Sequence, residues 1–377
     1  MNTDLAPEAD CVTGAPHPRE TQYLMGHAAE EAAFLDAYNS GRLHHAWMIT
    51  GPRGIGKATL AWKIARFLLT QPMGSDAGLF GEAPAPTDLS TDPDHPVSHR
   101  VNALSEPRLY LLRRPWDKDK DRHKQDITVD EVRGLKGFFA MSAADGGRRV
   151  VIVDSVDEMN PSAANALLKV LEEPPKDTTL LLIGHQPSRL LPTIKSRCRT
   201  LRLSPLTPED MGAALSGAGA APTDHASALA ALTSGSVGDA LRLMTLSGLE
   251  TYQQIVLLFS ALPKLDRQHL TALAESVTGK GTAERYDLLL GLVDLFLARI
   301  AKTGAMGQPQ MPEAAEGEAN LMMRLAPNPQ AGRAWAELQQ SLGARVRHGK
   351  SVNLDPAALI LDMGLKIDET AAKWAAR

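Results

Sequence analysis

The sequence predicts an α/β domain built on a parallel five-stranded sheet, followed by an all-α remainder. Three observations predict it. First, the apolar run Ala46-Trp47-Met48-Ile49-Thr50 leads through Gly51-Pro52-Arg53-Gly54-Ile55-Gly56-Lys57-Ala58 into a helical pattern over 59–69. Strand, glycine-rich turn, lysine and helix in that order form the context of a phosphate loop. Second, four further short apolar runs follow, separated by helical segments, the alternation of a parallel sheet. Third, from Leu206 onward the strand-like runs stop.

Composition narrows the class. A chain of 377 residues suits two or three domains. The formal net charge of −4 argues against a strongly basic nucleic-acid binder, so any DNA contact is local or shared with partners. The two cysteines, Cys11 and Cys198, exclude a disulfide framework and an all-cysteine zinc site, and suit a reducing cytoplasm. Residues 1–18 lack an apolar signal core. The most apolar run, Leu288 to Ile300, is interrupted by Asp294 and Arg299, so no membrane span is expected.

In chain order, residues 1–20 contain Pro7, Pro16 and Pro18 without helical periodicity and read as a flexible tail. The α/β domain is expected over 21–204, opening with an alanine-rich helix over 27–40. Residues 71–107 are dense in Pro, Gly, Asp and Ser and read as an exposed, partly disordered insertion. Leu109–Leu112 is a short strand. Arg113–Lys124 is a charged loop with the character of a solvated surface. Thr128 caps the next helix, with Glu131 three residues on. Arg149–Asp154 is a buried strand ending in a carboxylate. Asn160 caps a helix with Pro161 first, striped by Ala164, Leu167, Leu168 and Leu171 and stopped by Pro174-Pro175. Thr179–Gly184 is a buried strand, and Arg199–Leu203 alternates as a more exposed one. Residues 205–247 read as a small helical domain and 248–377 as a second one. In the latter, Tyr286–Ala301 is apolar nearly all round and should be buried on several sides. Residues 303–320 read as a flexible loop, and Ala334–Val346 and Asp355–Ile367 as the closing helices.

The candidate chemistry lies at strand ends. Gly51, Gly54 and Gly56 let backbone N–H groups curl around a phosphate, and Lys57 adds a full charge. The next residue is normally Ser or Thr, whose hydroxyl holds Mg²⁺; here it is Ala58, whose methyl cannot. Asp154 stands where a nucleotidase places its Mg²⁺-orienting carboxylate, yet it also reads as an ordinary strand-end aspartate. Ser155 follows where a water-polarising Glu is usual, and a serine is a poor base at neutral pH. Asp157 and Glu158 would need a shift of register to replace it.

Four segments in order carry a family resemblance: Gly51–Ala58, Val150–Asp154, the run Asn165-Ala166-Leu167-Leu168-Lys169-Val170-Leu171-Glu172-Glu173-Pro174-Pro175, and Ser196-Arg197-Cys198. The chain resembles the bacterial clamp-loader branch of the AAA+ proteins, strongly over roughly residues 25–245 and only in architecture beyond. The resemblance implies an AAA+ P-loop domain, a helical lid over 205–247 and a helical collar over 248–377 that joins those of partner subunits. It implies that the subunit helps place a sliding clamp on primed DNA during replication. The implied partners are gamma/tau motor subunits and the delta subunit, with the clamp and primer-template DNA reached through the assembly.

The departures from the family pattern set the expected role. Motor subunits carry a γ-phosphate-sensing arginine where Gly238 stands, so Ala58, Ser155 and Gly238 are three losses at one nucleotide site. The resemblance therefore implies a non-hydrolysing subunit of a polymerase holoenzyme, able to hold ATP or ADP at most. The relatives' four-cysteine zinc module is missing, so no zinc is expected. Arg197 of the Ser-Arg-Cys block is implied to act in trans, on the γ-phosphate of a neighbour's ATP. An active motor of the same family and a small-molecule P-loop kinase are the competing readings. Ala58, Ser155 and Gly238 speak against the first, and the long helical C-terminal half against the second.

Overall fold

A computed structural model of the chain describes residues 8–11, 15–72, 84–141, 147–220, 224–279 and 281–375. The chain divides into two compact units: residues 1–222 with 236–238, and residues 223–235 with 239–377.

The first unit holds all the strands among the described residues. These are β1 (Ala46–Thr50), β2 (Leu109–Arg113), β3 (Trp116–Asp117), β4 (Arg122–His123), β5 (Arg149–Asp154), β6 (Thr178–Gly184) and β7 (Arg199–Arg202). Its helices are α1 (Ala28–Asn39), α2 (Lys57–Thr70), α3 (Pro96–Asn102), α4 (Val129–Met141), α5 (Pro161–Glu172), α6 (Pro192–Lys195) and α7 (Pro208–Gly217). Five strands form one parallel sheet in the order β2-β5-β6-β1-β7, so all five expected strands are present. With helices on both faces, successive strand residues enter different cores, which is why the strands read as continuous apolar runs. Trp47, Ile49, Val150, Ile152, Leu181 and Ile183 join the core of α1, α2 and α3. Met48, Val151, Val153, Leu180 and Leu182 join that of α4 and α5. Edge strand β7 buries only Leu201, as its alternation predicts.

Two expected helix starts are built as read. The Asn160 side chain accepts from the Ala163 N–H at 2.9 Å, with Pro161 in the first turn. Before α4, Glu131 reaches back to the Thr128 N–H at 2.8 Å, half of a capping box.

Several expectations need correction. The insertion over 71–107 is not wholly exposed: its second half folds α3, and Leu89, Val97 and Val101 are buried against the α2 core. The apolar spacing of these few residues is masked by the polar residues between them. Residues 73–83 of the expected insertion lie outside the described residues. The charged loop over 113–124 contains the antiparallel hairpin β3–β4, with Trp116 against His123. The tail expected to be flexible over 1–20 has no helix or strand among its described residues, yet those described residues are held by charge. Arg113 pairs with Glu8 and Asp10, Arg19 pairs with Glu8, and Arg66 donates to the Arg19 and Thr21 carbonyls. The helices expected as one small domain over 205–247 divide between the units, because Leu206 and Ala214 of the α7 region pack on the sheet core.

The second unit is helical among the described residues. It comprises α8 (Ala226–Thr233), most of α9 (Val237–Thr245), α10 (Gly248–Ser260), α11 (Arg267–Ser276), α12 (Ala283–Met306), α13 (Glu318–Leu325), α14 (Pro329–Ser351) and α15 (Pro356–Ala375). Helix α12 is buried on several sides, as its composition predicts. The loop expected over 303–320 is shorter, because α12 runs on to Met306 and α13 begins at the fully buried Glu318. Helices α12 and α14 meet at Gly304 and Gly332: a Cβ on Gly332 would stand 2.8 Å from the Ala301 carbonyl oxygen and 2.9 Å from the Ala305 nitrogen. Backbone cannot yield as a side chain can. Gly332→Val is therefore expected to cost about 1–3 kcal/mol, the range for overpacking, read as a lower urea midpoint.

Candidate functional site

The sheet brings the phosphate loop and Asp154 to the same carboxyl edge. Strands β1 and β5 flank β6, so Thr50 lies level with Gly184 and Asp154 level with Ile183. This is the edge at which open α/β sheets bind ligands.

The glycine-rich loop turns through the left-handed region, with Gly54 at φ +71° and Gly56 at φ +103°, and leads into α2. The space around it is closed from several sides. A Cβ on Gly54 would collide with the Ser236 hydroxyl, and the Gly238 N–H donates to the Gly54 carbonyl at 3.1 Å. A Cβ on Gly51 would lie 2.6 Å from the Leu203 carbonyl oxygen. A His27 ring nitrogen is 2.8 Å from the Ile55 carbonyl oxygen.

Lys57 is only 3% exposed, and its ammonium donates back to the Pro52 carbonyl of its own loop. Burial lowers its pKa to about 8, against the opposing pull of Asp154 and Asp157. Asp154 is lifted to about 7, first by burial and then by Asp10 and Glu158, with Lys57 and Arg113 opposing. His185, at the end of β6, is pushed down to about 4 by burial and by Lys57, with Asp157 opposing.

Next to Asp154, Ser155 is 1% exposed and its hydroxyl finds no hydrogen-bond partner among the described residues. A short 3-10 turn over Val156–Glu158 then sends the two following carboxylates elsewhere. Asp157 accepts the His185 N–H at 2.8 Å. Glu158 pairs with Arg53 of the phosphate loop and Arg114 of the charged segment, each at 2.8 Å. Both carboxylates are therefore engaged in contacts of their own. The methyl of Ala58 and this donor set do not fit a catalytic Mg²⁺.

Among the sequence candidates, Gly51, Gly54, Gly56, Lys57, Ala58 and Asp154 share this edge. Gly238 lies against the loop through its own N–H. Arg197 belongs to a different set of contacts. It follows α6, and its guanidinium donates from Nη1 to the Thr193 carbonyl at 3.0 Å and pairs through Nη2 with Glu172 at 2.9 Å. The Arg197 side chain is 35% exposed. Ser196 donates to the Thr193 carbonyl at 3.1 Å, which fixes the turn. Burial raises the Cys198 thiol to about 12, as suits a packing residue.

Sequence reasoning assigned no site role to His27, His185, Arg53, Arg114 or Ser236. Arg53 lies within the Gly51–Ala58 loop, Arg114 within the charged segment and Ser236 two residues before Gly238, whereas no signal marks His27 or His185.

The cluster Glu8, Asp10 and His17 has its ligand atoms within 4.8 Å of one another, a spacing open to a metal. The hydrogen bonds argue otherwise. His17 Nδ1 accepts the Arg19 N–H at 3.0 Å, so the ring proton sits on Nε2, facing Glu8 at 3.0 Å. The nitrogen that would ligate a metal is thus protonated, and Arg19 and Arg113 balance the carboxylates.

A family model described as "DNA polymerase III, delta subunit" matches residues 26–207. A Pseudomonas aeruginosa protein, DNA polymerase III subunit delta', is 42% identical over 239 residues, 62% of this chain and 65% of that protein. Its Bacillus subtilis counterpart is 31% identical over 175 residues, 46% of each chain. The DNA polymerase III subunit gamma/tau of Mycobacterium bovis is 30% identical over 198 residues, 52% of this chain and 31% of that one. The chain thus spans less than two thirds of the length of each of these relatives. No helix among the described residues is long and apolar enough to cross a membrane.

Proposed function

We propose that the chain is a subunit of the DNA polymerase III delta-prime type, in the clamp-loader branch of the AAA+ proteins, and that it acts there as a stator; the family-model match and the delta' relatives support the reading. In this reading it does not hydrolyse ATP. It assembles in the cytoplasm with gamma/tau motor subunits and a delta subunit, and the assembly places a sliding clamp on primer-template DNA. Its chemical contribution is Arg197, offered to ATP bound on a neighbouring gamma/tau subunit. Phosphoryl transfer spreads charge over the γ-phosphate oxygens, and a planar guanidinium offsets it with paired N–H donors.

One observation carries the reading. The chain's own nucleotide edge has neither a metal hydroxyl nor a base, since Ala58 and the buried Ser155 occupy those positions, while Arg197 stands half exposed outside it. Nucleotide and zinc are not required for this role.

The test is nucleotide turnover by the full chain, alone and reconstituted with a gamma/tau subunit. The chain alone is expected to stay at background, and the mixture to hydrolyse ATP. Ala58→Ser restores a hydroxyl but no base, so its isolated turnover should also stay at background. Robust hydrolysis by either lone chain would return the protein to the motor class.

A further inference from the structure

The run Asn165 to Pro175 closes α5, and Glu172 is the last residue of that helix. A carboxylate there faces the negative end of the helix dipole, a placement that works against the helix. Its side chain is 50% exposed, so it contributes little to the core. What it does touch is Arg197, at 2.9 Å through Nη2. The Thr193 carbonyl holds the neighbouring Nη1 at 3.0 Å. The two elements keep a fixed spacing because Leu167 and Leu171 of α5 and Ile194 of α6 are buried in one core.

An arginine side chain carries several freely rotating bonds, and a half-exposed one samples many rotamers. Two anchors on adjacent guanidinium nitrogens remove most of that freedom. A guanidinium has five N–H donors, so this hold leaves donors over for phosphate oxygens.

We propose that Glu172 is a positioning residue for Arg197, holding the guanidinium in the orientation in which it meets a neighbouring subunit's nucleoside triphosphate. This rests on the reading of Arg197 as a group that acts in trans. Glu172 never touches the nucleotide. It lowers the rotational freedom that Arg197 would otherwise lose in the transition state. The effect therefore falls on the chemical step and not on ATP binding by the neighbour.

The experiment compares Glu172→Ala, Glu172→Gln, Arg197→Ala and the Glu172→Ala/Arg197→Ala pair, each reconstituted with the ATP-hydrolysing subunits and DNA. Glu172→Ala should lower kcat about two- to five-fold, the scale of a half-exposed ion pair, with KM for ATP unchanged. Glu172→Gln keeps an acceptor at the same reach and should recover part of the loss. In the Arg197→Ala background, Glu172→Ala should have no further effect. A large loss in Arg197→Ala with none, or a gain, in Glu172→Ala overturns the positioning role and leaves the trans role standing. A KM change that accompanies the kcat loss in Glu172→Ala also overturns it. No loss in Arg197→Ala overturns the reading on which it rests.

Discussion

Arg197→Ala is expected to fold normally and, on the proposed trans role, to lose about 10³–10⁵ in the rate of ATP hydrolysis at a neighbouring subunit's site. The fold should survive because the side chain is half exposed and its Glu172 pair is of the surface type, worth about 0.2–1 kcal/mol. The loss should be large because the guanidinium is needed only where charge develops. Arg197→Lys should not rescue, since an ammonium lacks the planar pair of donors. Single-turnover hydrolysis by the reconstituted assembly on primed DNA checks this. Unchanged DNA-stimulated hydrolysis would sink the trans role, whereas a lowered unfolding midpoint would show that Arg197 is structural.

Glu318→Ala should produce the largest loss of stability. Glu318 is fully buried and accepts from Arg299 Nε at 2.7 Å, Arg299 Nη2 at 3.0 Å and the Ala314 N–H at 2.7 Å, with Tyr252 donating as well. Arg299 also donates to the Gln310 and Pro312 carbonyls. The cluster therefore ties α10, α12, α13 and the loop before α13 together. Removing the carboxylate strands a buried guanidinium, a change that costs about 3–5 kcal/mol. Urea unfolding of the full chain measures it. Replacing Arg299 by Met in the same chain should recover much of the loss, because no unpaired charge then remains. A loss under about 1 kcal/mol, the scale of an exposed pair, would mean that water reaches the cluster.

Glu318 also shows where sequence reading stops. Around it, Gly, Pro, Ala and Glu make a run with no periodicity, which reads as a flexible loop. Nothing local reveals that this glutamate faces Arg299 on another helix. Gly304 and Gly332 are similar: each looks like a weak point in a helix, and their purpose emerges only where α12 and α14 cross. The segment from Arg113 reads as solvated charge and residues 1–20 as a loose tail, yet Arg113 and Arg66 of the sheet domain, with Arg19 itself, tie the described part of that tail down.

At the candidate site the division is equally specific. Ala58, Ser155 and Gly238 were legible because each stands at a fixed offset from a motif. The engagement of Lys57 with Pro52, of Asp157 with His185 and of Glu158 with Arg53 and Arg114 was not, because these contacts depend on how loops from different strands turn at one edge. The ion pair between Glu172 and Arg197 was hidden in the same way: both residues lay in recognised motifs, but nothing in either motif points to the other.

By itself the sequence determined the five strands, the buried character of β1, β5 and β6, the exposed alternation of β7, the Asn160 cap, and the presence of Ala58 and Ser155 where a metal hydroxyl and a base are usual. Each of these is written in neighbouring residues, through a period, a turn residue or a missing functional group. Only the tertiary structure decided the strand order β2-β5-β6-β1-β7, the closing of the phosphate loop on itself, the buried Arg299–Glu318–Tyr252 cluster and the partner of Arg197. Those are pairings between distant segments, and packing selects them through burial and charge satisfaction that no single stretch encodes.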